Sequence, residues 1–246
     1  MIYKIRKSNP YLEILLLTCN NLVNTKSCID HLFKHTYDFA LIIIDNGSTD
    51  ETPSYLKELT DAHDNITLCM KKHNMGVVDG RNFAYEMSLV MTKPANYVCF
   101  LDNDQLVQKG WVKNYFDLLD RGADIVGAEG WQMRDDFYPM RKVTKGSETF
   151  SYVGCGGMMF SHRVIDIVGV LDERFNPMYF EDPDFCFRAV KAGFKIKWDT
   201  KDGIFHIPHR LLGNQNERAK QFRKSWKLFQ EKWKEESIPM MSNVEK

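Results

Sequence analysis

Four short, almost wholly apolar runs punctuate the first hundred residues, and each is continuous rather than alternating. Candidate strands are Glu13–Thr18, Ala40–Asp45, Ile66–Lys71 and Tyr97–Asp102. A strand with one wet face alternates apolar and polar residues, whereas a strand covered on both faces reads as an unbroken apolar run. The intervening segments, near Leu22–His35, Thr52–Thr60 and Val77–Met91, carry helical patterns. Strand and helix in strict alternation predict a parallel, Rossmann-like first half with right-handed crossovers.

The second half is less regular. Asp124–Glu129 reads as a further strand, and Gly130–Thr149 as a polar loop holding Trp131, Phe137 and Tyr138. YVGCGGMMF (Tyr152–Phe160) follows, then a helix from about His162 and another beginning near Asp182. Phe194–Trp198 and Ile204–His206 are short strands by pattern, and Asn214–Glu236 is helical. Without a repeat or a linker-like stretch, a single domain is expected, with a core over about residues 11–210 and a helical tail over 211–246.

Several function classes are disfavoured. Lys+Arg and Asp+Glu both number 33, so the chain lacks the basic balance of a nucleic-acid binder. ILLL (Ile14–Leu17) and LIII (Leu41–Ile44) are far too short to cross a bilayer. MIYKIRKSNP is not followed by a signal-peptide core, so a cytoplasmic setting is expected. In that setting the NGS and NIT sequons at Asn46 and Asn65 are chance matches. The six cysteines show no CxxC spacing and read as small buried thiols.

Polar clusters cap the apolar runs: TCN (Thr18–Asn20) after the first, DNGSTD (Asp45–Asp50) after the second, DND (Asp102–Asp104) after the fourth. Taken singly, each is ordinary turn and helix-capping chemistry. Together they fall where open α/β sheets bind ligands, outside the carboxyl ends of the strands. Two carboxylates flanking an amide at a strand end repel each other unless something positive lies between. A hard divalent cation carrying a diphosphate meets that need, since Mg2+ and Mn2+ take carboxylate and phosphate oxygens together. The chain has no GxxxxGK[ST] loop, and GCGG (Gly154–Gly157) lacks the third glycine of the dinucleotide fingerprint.

The succession TCN, IIIDNGSTDET, HNMGVVDGRN, FLDND, GCGGMMF, LDERFNPMYFEDPDFCFRAVKAGFKI and IFHIPH resembles the inverting family-2 glycosyltransferases, most closely the rhamnosyltransferase-like subgroup. The resemblance runs from about Glu13 to His209. It implies a GT-A fold: an α/β, Rossmann-like nucleotide-binding domain with a mixed central sheet, helices on both faces and here a C-terminal amphipathic helix. It implies a nucleoside diphosphate sugar as donor, a divalent cation (Mn2+ or Mg2+) as cofactor, and a glycan or lipid-linked saccharide as acceptor.

Carried over residue by residue, the resemblance puts Thr18, Asn20, Asp45 and Asn46 around the nucleotide base and ribose. Asn74 and Arg81 fall towards the diphosphate, which suits a guanidinium fork. Asp102, with Asn103 beside it, faces the ribose, and Asp104 the metal. His206 is the expected second metal ligand, with His209 competing. Gly156 and Gly157 let backbone approach the donor sugar. Asp182 aligns with the general base of inverting transfer, and Glu181 and Asp184 are its rivals. Many relatives carry an aromatic where this chain has Cys19, and Asn46 replaces the second aspartate of the common D-D-G-S form. Uridine, thymidine and guanosine diphosphates therefore all remain open.

In the tail, Phe222, Trp226, Phe229 and Trp233 form one helical stripe, with Lys220, Arg223, Lys224, Lys227, Lys232 and Lys234 around it. The stripe fits packing on the catalytic domain or a second subunit, or peripheral contact with the inner membrane face. Two other functions stand beside glycosyl transfer. A sugar-nucleotide pyrophosphorylase needs a glycine-rich, basic loop after its first strand, which TCNNLVNTK does not supply. A nucleotide-sugar-binding module without catalysis would keep the fold and lose the chemistry.

Overall fold

A computed structural model describes residues 1–4, 10–90, 95–207 and 214–244. Its main sheet has eight strands, in the spatial order Ile2–Lys4, Ile66–Met70, Phe39–Asp45, Leu12–Thr18, Tyr97–Asp102, Met159–Ser161, Ile125–Gly127, Ile196–Trp198. The four apolar runs are its parallel centre, with Leu12–Thr18 paired to Phe39–Asp45 on one side and Tyr97–Asp102 on the other. Every residue of Leu12–Thr18 and Phe39–Asp45 is buried, as continuous apolar strands require. Alternate side chains feed two cores. Leu15, Leu17, Ile42, Ile44 and Phe100 face one side, and Ile14, Leu16, Leu41, Ile43 and Leu101 the other.

The sheet is mixed because Met159–Ser161 runs antiparallel to both of its neighbours. That reversal matters for the site, since it brings the preceding glycines to the same edge as the carboxyl end of Tyr97–Asp102. Gly157 N–H donates to the Phe100 carbonyl (2.8 Å) and Phe100 N–H to that of Met158 (2.9 Å). Ile204–His206 pairs with Gln105–Val107 in a separate ribbon, which sets His206 opposite Gln105.

Three features differ from the sequence expectation. Ile2–Lys4 is an antiparallel edge strand on Ile66–Met70. The stretch 130–149 is no simple loop: Gly130–Met133, Pro139–Lys142 and Tyr152–Val153 form a three-stranded antiparallel sheet. Thr149–Phe150 pairs with Met241–Ser242 from the tail. These strands are short, and that of Pro139–Lys142 lies largely exposed, so no apolar run announces them.

The tail helix, Gln215–Trp233, starts with the Asn214 side chain accepting from the Asn216 N–H (2.9 Å), a regular N-cap. Its aromatic stripe packs on the main fold. The Phe229 ring lies 5.2–5.5 Å from those of Phe137, Phe180 and Phe187, and Trp226 Nε1–H donates to the Asp136 carbonyl (2.9 Å). The stripe is therefore not free to enter a lipid surface. Lys232 departs from the surface set too, turning inward to Asp172 (2.7 Å) and Asp184 (2.5 Å). No helix among the described residues is long and apolar enough to cross a membrane.

Candidate active site

The chain leaves Leu12–Thr18 for one neighbouring strand and later returns to the other side, so the carboxyl ends of Leu12–Thr18 and Tyr97–Asp102 flank a topological switch point. Asn103 spans it. Its Nδ2 donates to Thr18 Oγ1 (3.1 Å), Thr25 Oγ1 (3.0 Å) and the Asn20 carbonyl (3.3 Å). Asn20 sits at φ +58°, a conformation asparagine tolerates, and its Oδ1 accepts from the Thr49 N–H (2.7 Å). Asp45 is buried and accepts from the Ser48 N–H (3.0 Å), closing the DNGS turn.

Asn46 and Asn74 form a second clasp. Asn46 Nδ2 donates to Asn74 Oδ1 (3.0 Å) and to the Gly76 carbonyl (3.0 Å), while its Oδ1 accepts from the Met75 N–H (2.9 Å). Asn46 is only 2% exposed, so its side chain faces the protein and not an open crevice. An aspartate could make neither donation, which gives a local reason for the amide at this position. Asn74 Nδ2 reaches Cys19 Sγ (3.4 Å).

Arg81 is buried on helix Val77–Leu89, and its terminal nitrogens are claimed by carboxylates. One contacts both oxygens of Asp102 (2.7 and 2.9 Å) and the other Glu181 Oε1 (3.2 Å). The sequence reading aims this guanidinium at a diphosphate; here it joins the DND motif to the acidic loop. Burial opposes its charge, but Asp102 and Glu181 outweigh burial and hold it protonated. Gln105, also buried, accepts from the Asp102 N–H through Oε1 (3.0 Å).

The glycines stand between two carboxylates. A Cβ on Gly156 would lie 2.4 Å from Asp102 Oδ2, and one on Gly154 would lie 3.9 Å from Asp182 Oδ2. Gly157 takes φ +76°, and a Cβ there would meet Ala128 and Ile204. DND and EDPD thus flank one stretch of chain.

Asp104 is 5% exposed, and its Oδ2 lies 3.1 Å from His206 Nε2. That hydrogen bond raises the imidazole above its ordinary range. A carboxylate oxygen and an imidazole nitrogen side by side at a strand-end edge suit a Mn2+-like cation whose other positions are filled by phosphate and water oxygens. His209 lies outside the described residues.

The three acids of EDPD have separate fates. Asp184 is fully buried, accepting from Arg188 Nε (2.8 Å) and Trp233 Nε1 (3.0 Å) and pairing with Lys232, so no oxygen is left for a substrate. Glu181 is tied to Arg81. Burial raises its carboxyl, Arg81 partly offsetting this, and its Oε2 has no protein partner. Asp182 is half-buried, and no side chain of the described residues donates to it. Burial, then the neighbouring Glu181 charge, raises its carboxyl well above the usual range. Of the three, Asp182 has the accessibility and basicity a proton acceptor requires.

A model of glycosyl transferase family 2 matches residues 13–167. The chain belongs to glycosyl transferase family 2. Glycosyltransferase AglE of Haloferax volcanii is 24% identical over 122 residues, covering 48% of this chain and 38% of that protein. Pre-mycofactocin glycosyltransferase of Mycobacterium tuberculosis is 21% identical over 199 residues, covering 74% and 40%. The chain thus spans about two fifths of the length of these relatives. Among solved structures, GalNAc-T7 with UDP, GalNAc and Mn2+ superposes with a TM-score of 0.75 at 12% identity, covering 92% of this chain and 48% of that one. The mannosyltransferase PcManGT from Pyrobaculum calidifontis, in complex with GDP-Man and Mn2+, gives a TM-score of 0.63 at 16% identity, covering 82% and 59%. The fold is of the GT-A type.

Sequence reasoning missed three residues near these motifs. Tyr152 is buried, and its hydroxyl is pushed well up by burial and then by the Asp182 charge. The Trp131 ring stacks on it (6.4 Å, 17° between planes). Gln105 orients the DND backbone. Only Gln105 left a signal, as the residue directly after DND. Tyr152 and Trp131 belong to strands that the polar composition concealed.

Proposed function

We propose that this chain is the catalytic unit of a metal-dependent inverting glycosyltransferase, moving a sugar from a nucleoside diphosphate to an acceptor hydroxyl. One observation carries the reading: the Gly154–Gly157 stretch sets the DND carboxylate Asp102 against Gly156 and the unengaged carboxylate Asp182 against Gly154. Donor-side and acceptor-side acids thereby border one space. The nucleotide-bearing complexes of the GT-A neighbours with Mn2+ support the choice of donor and cation.

Asp104 and His206 would hold the cation, which supplies positive charge to a departing diphosphate. Thr18, Asn20, Asp45 and Asn103 shape the nucleotide end of the crevice. Asn46 and Asn74 brace it from behind, and Arg81 fixes Asp102 against Glu181. Asp182 takes the proton of the acceptor hydroxyl as that oxygen attacks the anomeric carbon from the face opposite the diphosphate, so configuration inverts. The raised basicity of Asp182 favours this role, because a base whose pKa lies nearer the working pH accepts a proton more effectively.

Asp182→Asn tests the assignment. Transfer should fall by roughly 100- to 10,000-fold, the usual contribution of a general base, while nucleoside diphosphate binding persists. An active Asp182→Asn enzyme would refute it.

A further inference from the structure

The turn that presents Asp182 is held in a conformation it would not choose alone. Tyr179 and Phe180 are consecutive non-glycine residues with φ +77° and +71°. Such left-handed positions cost roughly 1–2 kcal/mol each and persist only where the surroundings enforce them. Asp182 cannot enforce its own position, since no side chain of the described residues donates to its carboxylate.

Arg81 holds Glu181 and Arg188 holds Asp184, but the ties to Met178, Tyr179 and Phe180, with two more to Asp184, come from one element. Along Gln215–Trp233, Arg218 donates to the Tyr179 hydroxyl (2.9 and 3.2 Å), and Ser225 Oγ–H donates to the Met178 carbonyl (3.1 Å). Phe222 and Phe229 pack on Phe180 (both 5.3 Å), and Trp233 and Lys232 grip Asp184 (3.0 and 2.5 Å). The ties span the turn from Met178 to Asp184 and the helix from Arg218 to Trp233. This helix and the turn it holds lie beyond residues 13–167, the span that the family model matches.

We infer that the C-terminal helix is a working part of the active site: Arg218, Ser225, Lys232 and Trp233 are positioning residues that clamp the Met178–Asp184 turn and so aim Asp182 at the acceptor. The inference rests on Asp182 being the base.

Arg218→Ala and Tyr179→Phe delete the same hydrogen bond from opposite ends, the second by removing a single oxygen. Each should lower kcat for transfer by roughly 10- to 100-fold, the penalty of misplacing a reacting group. The double variant should be no worse than the poorer single one. Affinity for nucleoside diphosphate with Mn2+ should stay within about twofold of wild type, because the donor-side contacts are untouched. A loosened turn admits water to Asp182, so the acid limb of the pH–rate profile should move to lower pH.

Unchanged kcat in either folded variant overturns the clamp. So does a matched loss of donor affinity and kcat with the acid limb in place, since that is damage to the fold at large. If Arg218→Ala does not fold, Tyr179→Phe decides alone. Asp182→Asn, assayed alongside, separates the two claims. If it keeps transfer, the base assignment fails; if it loses transfer while both clamp variants keep full kcat, only the clamp fails.

Discussion

Gly156→Ala is a one-methyl change with a calculable consequence. The new Cβ would sit 2.4 Å from Asp102 Oδ2 and 2.9 and 3.0 Å from the Gln105 side-chain amide. These are flexible side-chain ends in general, but here both are pinned. Asp102 is bound through both oxygens to Arg81, and Gln105 holds the Asp102 backbone. Relief means pushing Asp102 off the guanidinium or moving the glycine strand from Phe100. Forcing a methyl into packed surroundings costs about 1–3 kcal/mol. For a chain of this size that lowers Tm by roughly 2–12 °C. Transfer should fall further than stability, because the displaced residues belong to DND. Gly154→Ala is the internal control: its nearest neighbour, Asp182 Oδ2 at 3.9 Å, is at ordinary contact distance, so Tm should barely move. The assay is a thermal melt with a parallel titration of nucleoside diphosphate and Mn2+. A Gly156→Ala protein with wild-type Tm and wild-type donor affinity would refute the close-packed arrangement of Gly156, Asp102 and Gln105.

Other outcomes follow from the same contacts. Asn46→Asp restores the residue common at this position elsewhere, yet it should destabilise this chain by about 1–3 kcal/mol, since a buried carboxylate cannot donate to the Gly76 carbonyl; equal or higher stability in a denaturant titration would contradict the clasp. Hydrogen bonds from Arg174 and Lys232 outweigh burial and hold the Asp172 carboxyl well below its ordinary range. A depressed carboxylate contributes stability above its unfolded pKa and loses it as pH falls through the folded one. Lys232→Met should therefore be less stable at neutral pH, by about 1.5–3 kcal/mol, and flatter in its acid dependence below roughly pH 4; parallel wild-type and variant Tm curves from pH 7 to 2 would contradict this.

Legibility in the sequence followed the strength of the local signal. Leu12–Thr18 and Phe39–Asp45 were readable because a strand buried on both faces has little choice of residues. The tail stripe was readable as a helix face, though only packing showed that Phe229 enters a ring cluster and Lys232 turns inward. The strands Gly130–Met133 and Pro139–Lys142 were hidden because short, half-exposed ribbons take nearly any polar residue. At the site, the family motifs singled out DND and EDPD, whose Asp102 and Asp182 the fold sets on either side of Gly154–Gly156. They could not show that Arg81 would be shared between Asp102 and Glu181, or Asp184 consumed by the tail. Those roles arise from contacts across some 20 to 100 residues of chain, which no motif spacing encodes.

The pairing of Asp104 with His206 as a cation site is measured most directly by calorimetric titration of UDP, dTDP and GDP, with and without Mn2+, into wild type, Asp104→Asn and His206→Ala. Wild type should bind one of the three tightly only when Mn2+ is present, and both variants should lose that metal dependence while remaining folded. Equally tight binding without Mn2+, or undiminished Mn2+-dependent binding in the two variants, would contradict the account.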